Sequence, residues 1–164
     1  MAKPGLHPNK VLLSVWWDYL GVVHWELLPK GQTVNSEVLC QQLDRLQEAL
    51  VIKRPALVNR RGVVLQHDNA RSHTSKMTQK KIRALGWEVL PHPPYSPDIA
   101  PSHYHLFRSL QHFLSGKRFE EIDAISTALS EFFASKPASF YEQGINDLVE
   151  KWGVVDNDGD YVID

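Results

Sequence analysis

Five prolines fall between Pro91 and Pro101 (PHPPYSPDIAP), and this density constrains the fold of the 164-residue chain more than any other feature. Each proline removes a backbone N–H and fixes φ, so neither a helix nor a central strand survives there. The segments on either side must supply the regular structure. Lys10–Trp17 (KVLLSVWW) and Gly21–Leu28 (GVVHWELL) are rich in β-branched and aromatic residues and are joined by Asp18-Tyr-Leu-Gly21. That pattern predicts a β-hairpin, ended by Pro29-Lys-Gly31. Leu39, Leu43, Leu46 and Leu50 then recur at helical spacing, with Asn35 as N-cap and Glu37 in the first turn. Gly62–His67 (GVVLQH) predicts a short buried strand. After Asn69 a basic helix carries Lys76, Lys80, Lys81 and Arg83 and stops at Gly86, and Trp87–Leu90 is another strand.

Beyond the prolines only helical spacing recurs. Ser102 is expected to cap a helix with the apolar stripe Leu106, Leu110 and Phe113, closed by Gly116. A second helix carries Ile122, Ile125, Leu129 and Phe132. A third opens on Ser139-Phe-Tyr-Glu142, read as a capping box, before Ile145, Leu148 and Trp152. The order β-β-α-β-α-β-α-α-α predicts an α/β or α+β domain with a mixed sheet.

Composition narrows the function. With 43% hydrophobic residues the chain can bury a core. No apolar run approaches the roughly 18 residues of a membrane span, and Met1 to Lys10 has no signal-peptide core. A protein of the nucleus or cytoplasm, without membrane contact, is expected. The single cysteine, Cys40, excludes an internal disulfide and a cysteine-rich zinc site. A net charge of −1 argues against strong indiscriminate binding to nucleic acid, but the charge is unevenly spread. Residues 53–83 hold nine basic groups and one acid, whereas residues 120–164 hold two basic groups and eleven acids. The basic middle is the phosphate-facing candidate, with Arg60, Arg61, Arg71, Lys76, Lys80 and Lys81 as the contacts; the alternative is a solvated face with no ligand.

Asp68 is the most informative single residue. It follows Val63-Val64-Leu65-Gln66-His67, so its carboxylate is expected at the carboxyl end of a buried strand, where open α/β sheets place ligand and catalytic groups. The competing role is an N-cap for the next helix. Asp156-Asn-Asp158-Gly-Asp160 imitates a calcium loop, but its glycine is misplaced and no bidentate Glu follows.

Asp68 within HDNARSH, followed by YSPDIAPS and YHLF, resembles the catalytic domain of mariner-family DNA transposases. The VWWD hairpin and the FYEQGINDLVEKW segment fit the same family, so the likeness runs from about Lys10 to Tyr161. The resemblance implies a ribonuclease H-like α/β fold, a mixed sheet flanked by helices. It also implies a DNA partner, a homodimer, a nuclear location, no small-molecule substrate, and Mg²⁺ or Mn²⁺ as cofactor. Three acids in this family hold two divalent cations about 4 Å apart, which activate the attacking oxygen and stabilise the leaving one. Asp68 matches the second acid. The third, separated from it by thirty-four intervening residues, falls on His103, and the first belongs to a strand upstream of Lys10. Asp18 matches a hairpin position and Asp98 a loop position, so neither replaces a ligand.

His103 has two readings. As a ligand, with Asp68 and with His67 as a third partner, its imidazole suits Zn²⁺ or Mn²⁺ better than Mg²⁺. The other, favoured here, is a drifted residue in a catalytically defective element. His73 and His105 are expected to be surface or packing groups. The resemblance further makes residues 1–9 a disordered remnant of an upstream loop and residues 10–164 a truncated catalytic domain. The family's helix-turn-helix region has no counterpart, so sequence-specific binding of transposon ends is not expected. In the fold implied, the absent first strand lies between those at Lys10–Trp17 and Gly62–His67. Those two must pair directly, recruit a replacement, or leave backbone groups unmet, at about 1–3 kcal/mol each when buried. A marginal or oligomer-dependent domain is the expectation. Three functions compete: a nuclease fragment using Asp68 and His103, a non-catalytic DNA-binding or protein-interaction module, and a remnant reading frame without function.

Overall fold

The hairpin forms where the aromatic and β-branched run predicts it. In the computed structural model, which describes residues 11–28, 31–66, 74–90, 102–119 and 121–155, β1 (Leu12–Asp18) pairs antiparallel with β2 (Gly21–Leu28). At positions 61, 102–104 and 148–155 only the backbone is described. The turn is the two-residue Tyr19-Leu20, held by a hydrogen bond from the Leu20 amide to Asp18 Oδ1 at 3.0 Å. Gly21 closes it with φ +132°, a conformation that side chains rarely adopt.

A bulge gives the hairpin two apolar faces. Trp16 faces His24 and Trp17 faces Val22, so Val23 is the extra residue on β2. One inserted residue reverses the alternation of side chains beyond it. Val22, Trp25 and Leu27 therefore share a face with Leu13, Val15 and Trp17, while Val23 joins Trp16 on the other.

Each face meets helices. Helix α1 (Ser36–Lys53) is capped by Asn35, whose Oδ1 accepts from the Val38 amide at 2.8 Å, as its sequence predicts. It buries Leu39, Leu43, Leu46 and Leu50 against Val23 and Trp16. Helix α2 (Lys76–Leu85) is capped by Ser75 and ended by Gly86 at φ +80°, and adds Ile82 and the neighbouring Trp87 to that core. The opposite face is covered by α3 (Arg108–Leu114), α4 (Ile122–Ser135) and α5 (Ala138–Val155), which contribute Leu110, Leu129, Phe132, Phe133 and Tyr141.

The α/β class with mixed strand pairing is present, as two ladders. β3 (Val64–Gln66) runs parallel to β4 (Glu88–Leu90), and the described strands form two two-stranded sheets. Among the described residues β1 and β3 thus do not pair directly, although both belong to the layer under α1 and α2.

Three boundaries differ from expectation. β3 is shorter than Gly62–His67, because Gly62 at φ +82° caps a π-helical turn, Leu57–Arg61, and delays the strand. Ser102 does not sit outside its helix as a cap; it is the first residue of a π-helical turn, Ser102–Phe107, that runs on into α3. Ser139 does not cap α5 either, since that helix starts at Ala138, directly after Pro137. Residues 1–9, Pro91–Pro101 and Asp156–Asp160 lie outside the described residues.

Candidate functional site

Asp68 stands two positions beyond the last residue of β3 and lies outside the described residues, as do His67, Arg71, His73 and Asp98. The strand that leads to it is described. Val64, Leu65 and Gln66 pair in register with Glu88, Val89 and Leu90, so the chain leaves both parallel strands at the same end. Carboxyl ends of adjacent parallel strands are where open sheets gather ligand-binding groups. The two segments that leave there, 67–73 and 91–101, contain most of the polar motif residues.

His103 is carried by the π-helical turn Ser102–Phe107; its side chain is outside the described set. Such wide turns recur at functional sites because they re-aim side chains within a helix. The turn is firmly anchored just past position 103. Leu106 is fully buried. The His105 ring stacks on Trp17 of β1 at 6.3 Å between centroids and packs at 4.2 Å from Phe140 of α5. Its Nε2 bonds to the Phe140 carbonyl. His105 is thus a packing group. Gly144 makes this possible: a Cβ there would lie 2.6 Å from the His105 ring and 2.9 Å from Trp17. Among the described residues, no group of three His, Cys, Asp or Glu side chains is arranged to hold a metal.

The basic candidates separate into three groups. Lys76 and Lys80 are exposed on α2. Arg83, also exposed, follows at the next helical repeat, so these three cations line one face over about 10 Å. Lys81 is held away from that face, because its Nζ contacts both carboxylate oxygens of Asp44 on α1 at 3.0 and 3.1 Å. Arg60 is exposed in the Leu57–Arg61 turn, at the amino end of β3, and Arg61 contributes described backbone to the same turn. Arg60 is therefore not part of the α2 stripe.

Sequence reasoning missed two charged clusters, since ion pairs between elements have no sequence period. Arg54 clamps the hairpin turn, with Nε 2.6 Å from Asp18 Oδ2 and Nη2 2.8 Å from Asp18 Oδ1. The hydrogen bond to Asp18 outweighs burial and raises the guanidinium above its ordinary pKa. On the α1 side of the sheet, Glu26 accepts from Arg45 Nε at 2.7 Å and Nη2 at 2.8 Å, and lies 2.6 Å from His24 Nε2. Burial pushes the Glu26 carboxyl up, but the hydrogen bonds from Arg45 and His24 together pull it below the ordinary range. Both clusters are structural ties, remote in sequence from Asp68 and His103.

The family model for "Transposase (partial DDE domain)" matches residues 1–60. The solved catalytic domain of Mos1 transposase with Raltegravir and Mn superposes with a TM-score of 0.86 at 45% identity, covering 94% of this chain and 78% of that one. The chain belongs to the mariner transposase family. It is 45% identical over 163 residues to the Mariner Mos1 transposase of Drosophila mauritiana, matching 98% of this chain and 47% of the relative. It is 46% identical over 160 residues to the Histone-lysine N-methyltransferase SETMAR of Homo sapiens, matching 97% of this chain and 23% of that protein. The chain therefore spans about half the length of one curated relative and about a quarter of the other. A solved Mos1 paired-end complex with left transposon end gives a TM-score of 0.86 at 46% identity, over 98% of this chain and 47% of that one. The fold is the ribonuclease H-like fold of the mariner catalytic domain, and the chain is a mariner transposase-derived domain.

Proposed function

We propose that this domain has kept a DNA-facing surface and lost metal-dependent strand cleavage. The observation that carries the reading is the residue at position 103. Relatives are solved with Mn and with Mg, which speaks for divalent metal in the family. Two Mg²⁺ ions need several hard carboxylate oxygens in near-octahedral geometry. Of the two matching positions inside this sequence, one carries a carboxylate, Asp68, and the other an imidazole, His103. An imidazole in the place of the third carboxylate does not suit a pair of Mg²⁺ ions.

What supports DNA binding is the cationic stripe of Lys76, Lys80 and Arg83, together with a relative solved on a transposon end. The stripe neutralises phosphates without reading bases, so the binding is sequence-independent and salt-sensitive. Arg60, Arg61 and Arg71 extend the contact set beyond the helix. A nuclear location and a domain beginning near Lys10 belong to the same proposal.

A plasmid-nicking assay in Mg²⁺ and in Mn²⁺, with Asp68→Ala as the comparison, tests the loss of cleavage. The expected result is equal background in both proteins. Nicking that depends on Asp68, above all in Mn²⁺ alone, establishes the opposite reading, a nuclease with His103 as ligand. A salt titration of duplex binding tests the other half: a flat response rejects the phosphate-facing surface.

A further inference from the structure

The Ser102–Phe107 turn is keyed into the fold by a polar ring where an apolar one would fill the space. His105 lies half-buried between Trp17 of β1 and Phe140 of α5, at 6.3 and 4.2 Å between ring centroids and at interplanar angles of 25° and 31°. A carbonyl can only accept, so His105 Nε2 carries the proton of its hydrogen bond to the Phe140 carbonyl. Contact with two rings fixes the tilt of the imidazole, and the directional bond fixes its rotation. Leucine or phenylalanine would supply the burial without that second constraint.

A second observation comes from the facing helix. Gly144 stands one turn beyond Phe140 on α5, although glycine is among the least favourable residues for a helix interior. A Cβ there would meet His105 Cδ2 at 2.6 Å, Trp17 Cη2 at 2.9 Å and His105 Cγ at 3.0 Å. The seat is thus cut to the depth of this ring. Leu106 beside it is fully buried, so the turn is held at two successive positions and cannot roll about its axis. Residues two apart on a π-helical turn fall on roughly opposite sides of it. Position 103 therefore stands across the turn from the seat, and its identity does not alter the seat.

We infer that His105 is a positioning residue: its ring, seated between Trp17 and Phe140 over Gly144, fixes the roll of the Ser102–Phe107 turn and so holds position 103 in place, whatever residue occupies it. The inference rests on the proposed reading of position 103 as the counterpart of the third metal-binding acid. It adds that the donor has changed there while the placement has been kept. A carboxylate returned to position 103 therefore meets a divalent cation without further repair of the turn. Residues that orient a metal ligand govern affinity strongly, and their loss weakens metal binding by about 10–100-fold. A ring that served packing alone would affect stability and nothing else.

The experiment titrates Mn²⁺ into the full chain and reads paramagnetic broadening of the amide signals of residues 102–104. His103→Asp is expected to broaden them at lower Mn²⁺ concentration than the parent, because Mn²⁺ prefers a carboxylate to an imidazole. Adding His105→Phe, which keeps a ring and loses the bond to Phe140, should weaken that binding by about 10-fold. His105→Ala should weaken it further, and Gly144→Ala, which displaces the ring without altering it, as much as His105→Phe. If the alanine variant at position 105 fails to fold, the other two carry the test. Phe132→Leu is the control, a loss of packing away from the turn: it should lower the melting temperature and leave the Mn²⁺ affinity of the His103→Asp chain unchanged. Two results overturn the inference, and they differ. Without broadening in the His103→Asp chain, the reading of position 103 fails and takes the inference with it. Broadening that the seat variants do not weaken, or that Phe132→Leu weakens equally, leaves the reading of position 103 standing and reduces His105 to packing. No nicking enters the measurement, so the loss of cleavage is tested separately.

Discussion

Gly144 shows how one residue's sign is decided by its neighbours. In an exposed helix, Gly→Ala gains about 1 kcal/mol from backbone entropy. Here the added methyl meets the His105 ring at 2.6 Å and Trp17 at 2.9 Å, and both rings are held by further stacking. Overpacking of this kind costs about 1–3 kcal/mol, so Gly144→Ala should destabilise the domain in urea unfolding. His105→Ala opens the space, and the double variant should lose less than the two single losses combined. Glu26 gives a pH prediction at the same scale. Its carboxyl is depressed in the folded state because Arg45 and His24 outweigh burial. A depressed carboxyl adds stability above the unfolded value, about 4.3, and that stability drains as pH falls through this range toward the folded value. Arg45→Met should flatten the fall in urea midpoint below about pH 4.3, while a profile as steep as that of the parent rejects the assignment.

Among the elements, α2 carries the test of the DNA-facing surface. Lys76→Ala and Lys80→Ala each remove an exposed cation, and each should reduce the salt slope of duplex binding by about 0.9. Lys81→Ala should leave the slope nearly unchanged, since that ammonium is engaged by Asp44. Its loss instead loosens α1 from α2 by less than about 1 kcal/mol, the usual worth of an exposed pair. A chemical denaturation curve and a salt titration of the three variants separate the two roles. The helices themselves were legible because their signals are local: Asn35 caps, Gly86 stops, and four leucines of α1 repeat at helical spacing, whereas the Ser75 cap of α2 emerges only in the structure. The features that escaped depend on distant partners. The Val23 bulge is fixed by two separate cores competing for opposite faces of one ribbon. The start of α5 is set by Pro137, and the π-helical turn before α3 by the burial of Leu106 and His105 against β1 and α5. Asp68 was legible as the acid that follows a strand, and His103 only through the resemblance to the mariner family, which marks their positions without giving the geometry between them.

At the scale of the whole molecule, the hairpin is a wall with a core on each side. Trp16 and Val23 face α1 and α2, while Trp17 and Trp25 face the three carboxyl-terminal helices. Neither core closes without it. Damage on one side should therefore be felt on the other. Phe132 is almost fully buried among the carboxyl-terminal helices, packed on Phe113 and Phe133. Phe132→Leu removes part of that ring contact and should cost about 1–2 kcal/mol. If the wall couples the cores, exchange of the α1 amides between Leu39 and Leu50 accelerates by the same factor as exchange in α4. If the cores unfold separately, α4 accelerates and α1 keeps its parent rate. The outer edge of β1 also limits the total, because the strand suited to burial on both faces has only one paired neighbour among the described residues. A single transition at or below about 50 °C, the low end for domains of this size, is the expected melt. A cooperative melt of the isolated monomer well above that temperature requires the edge to be already satisfied, and the hairpin to be a finished wall.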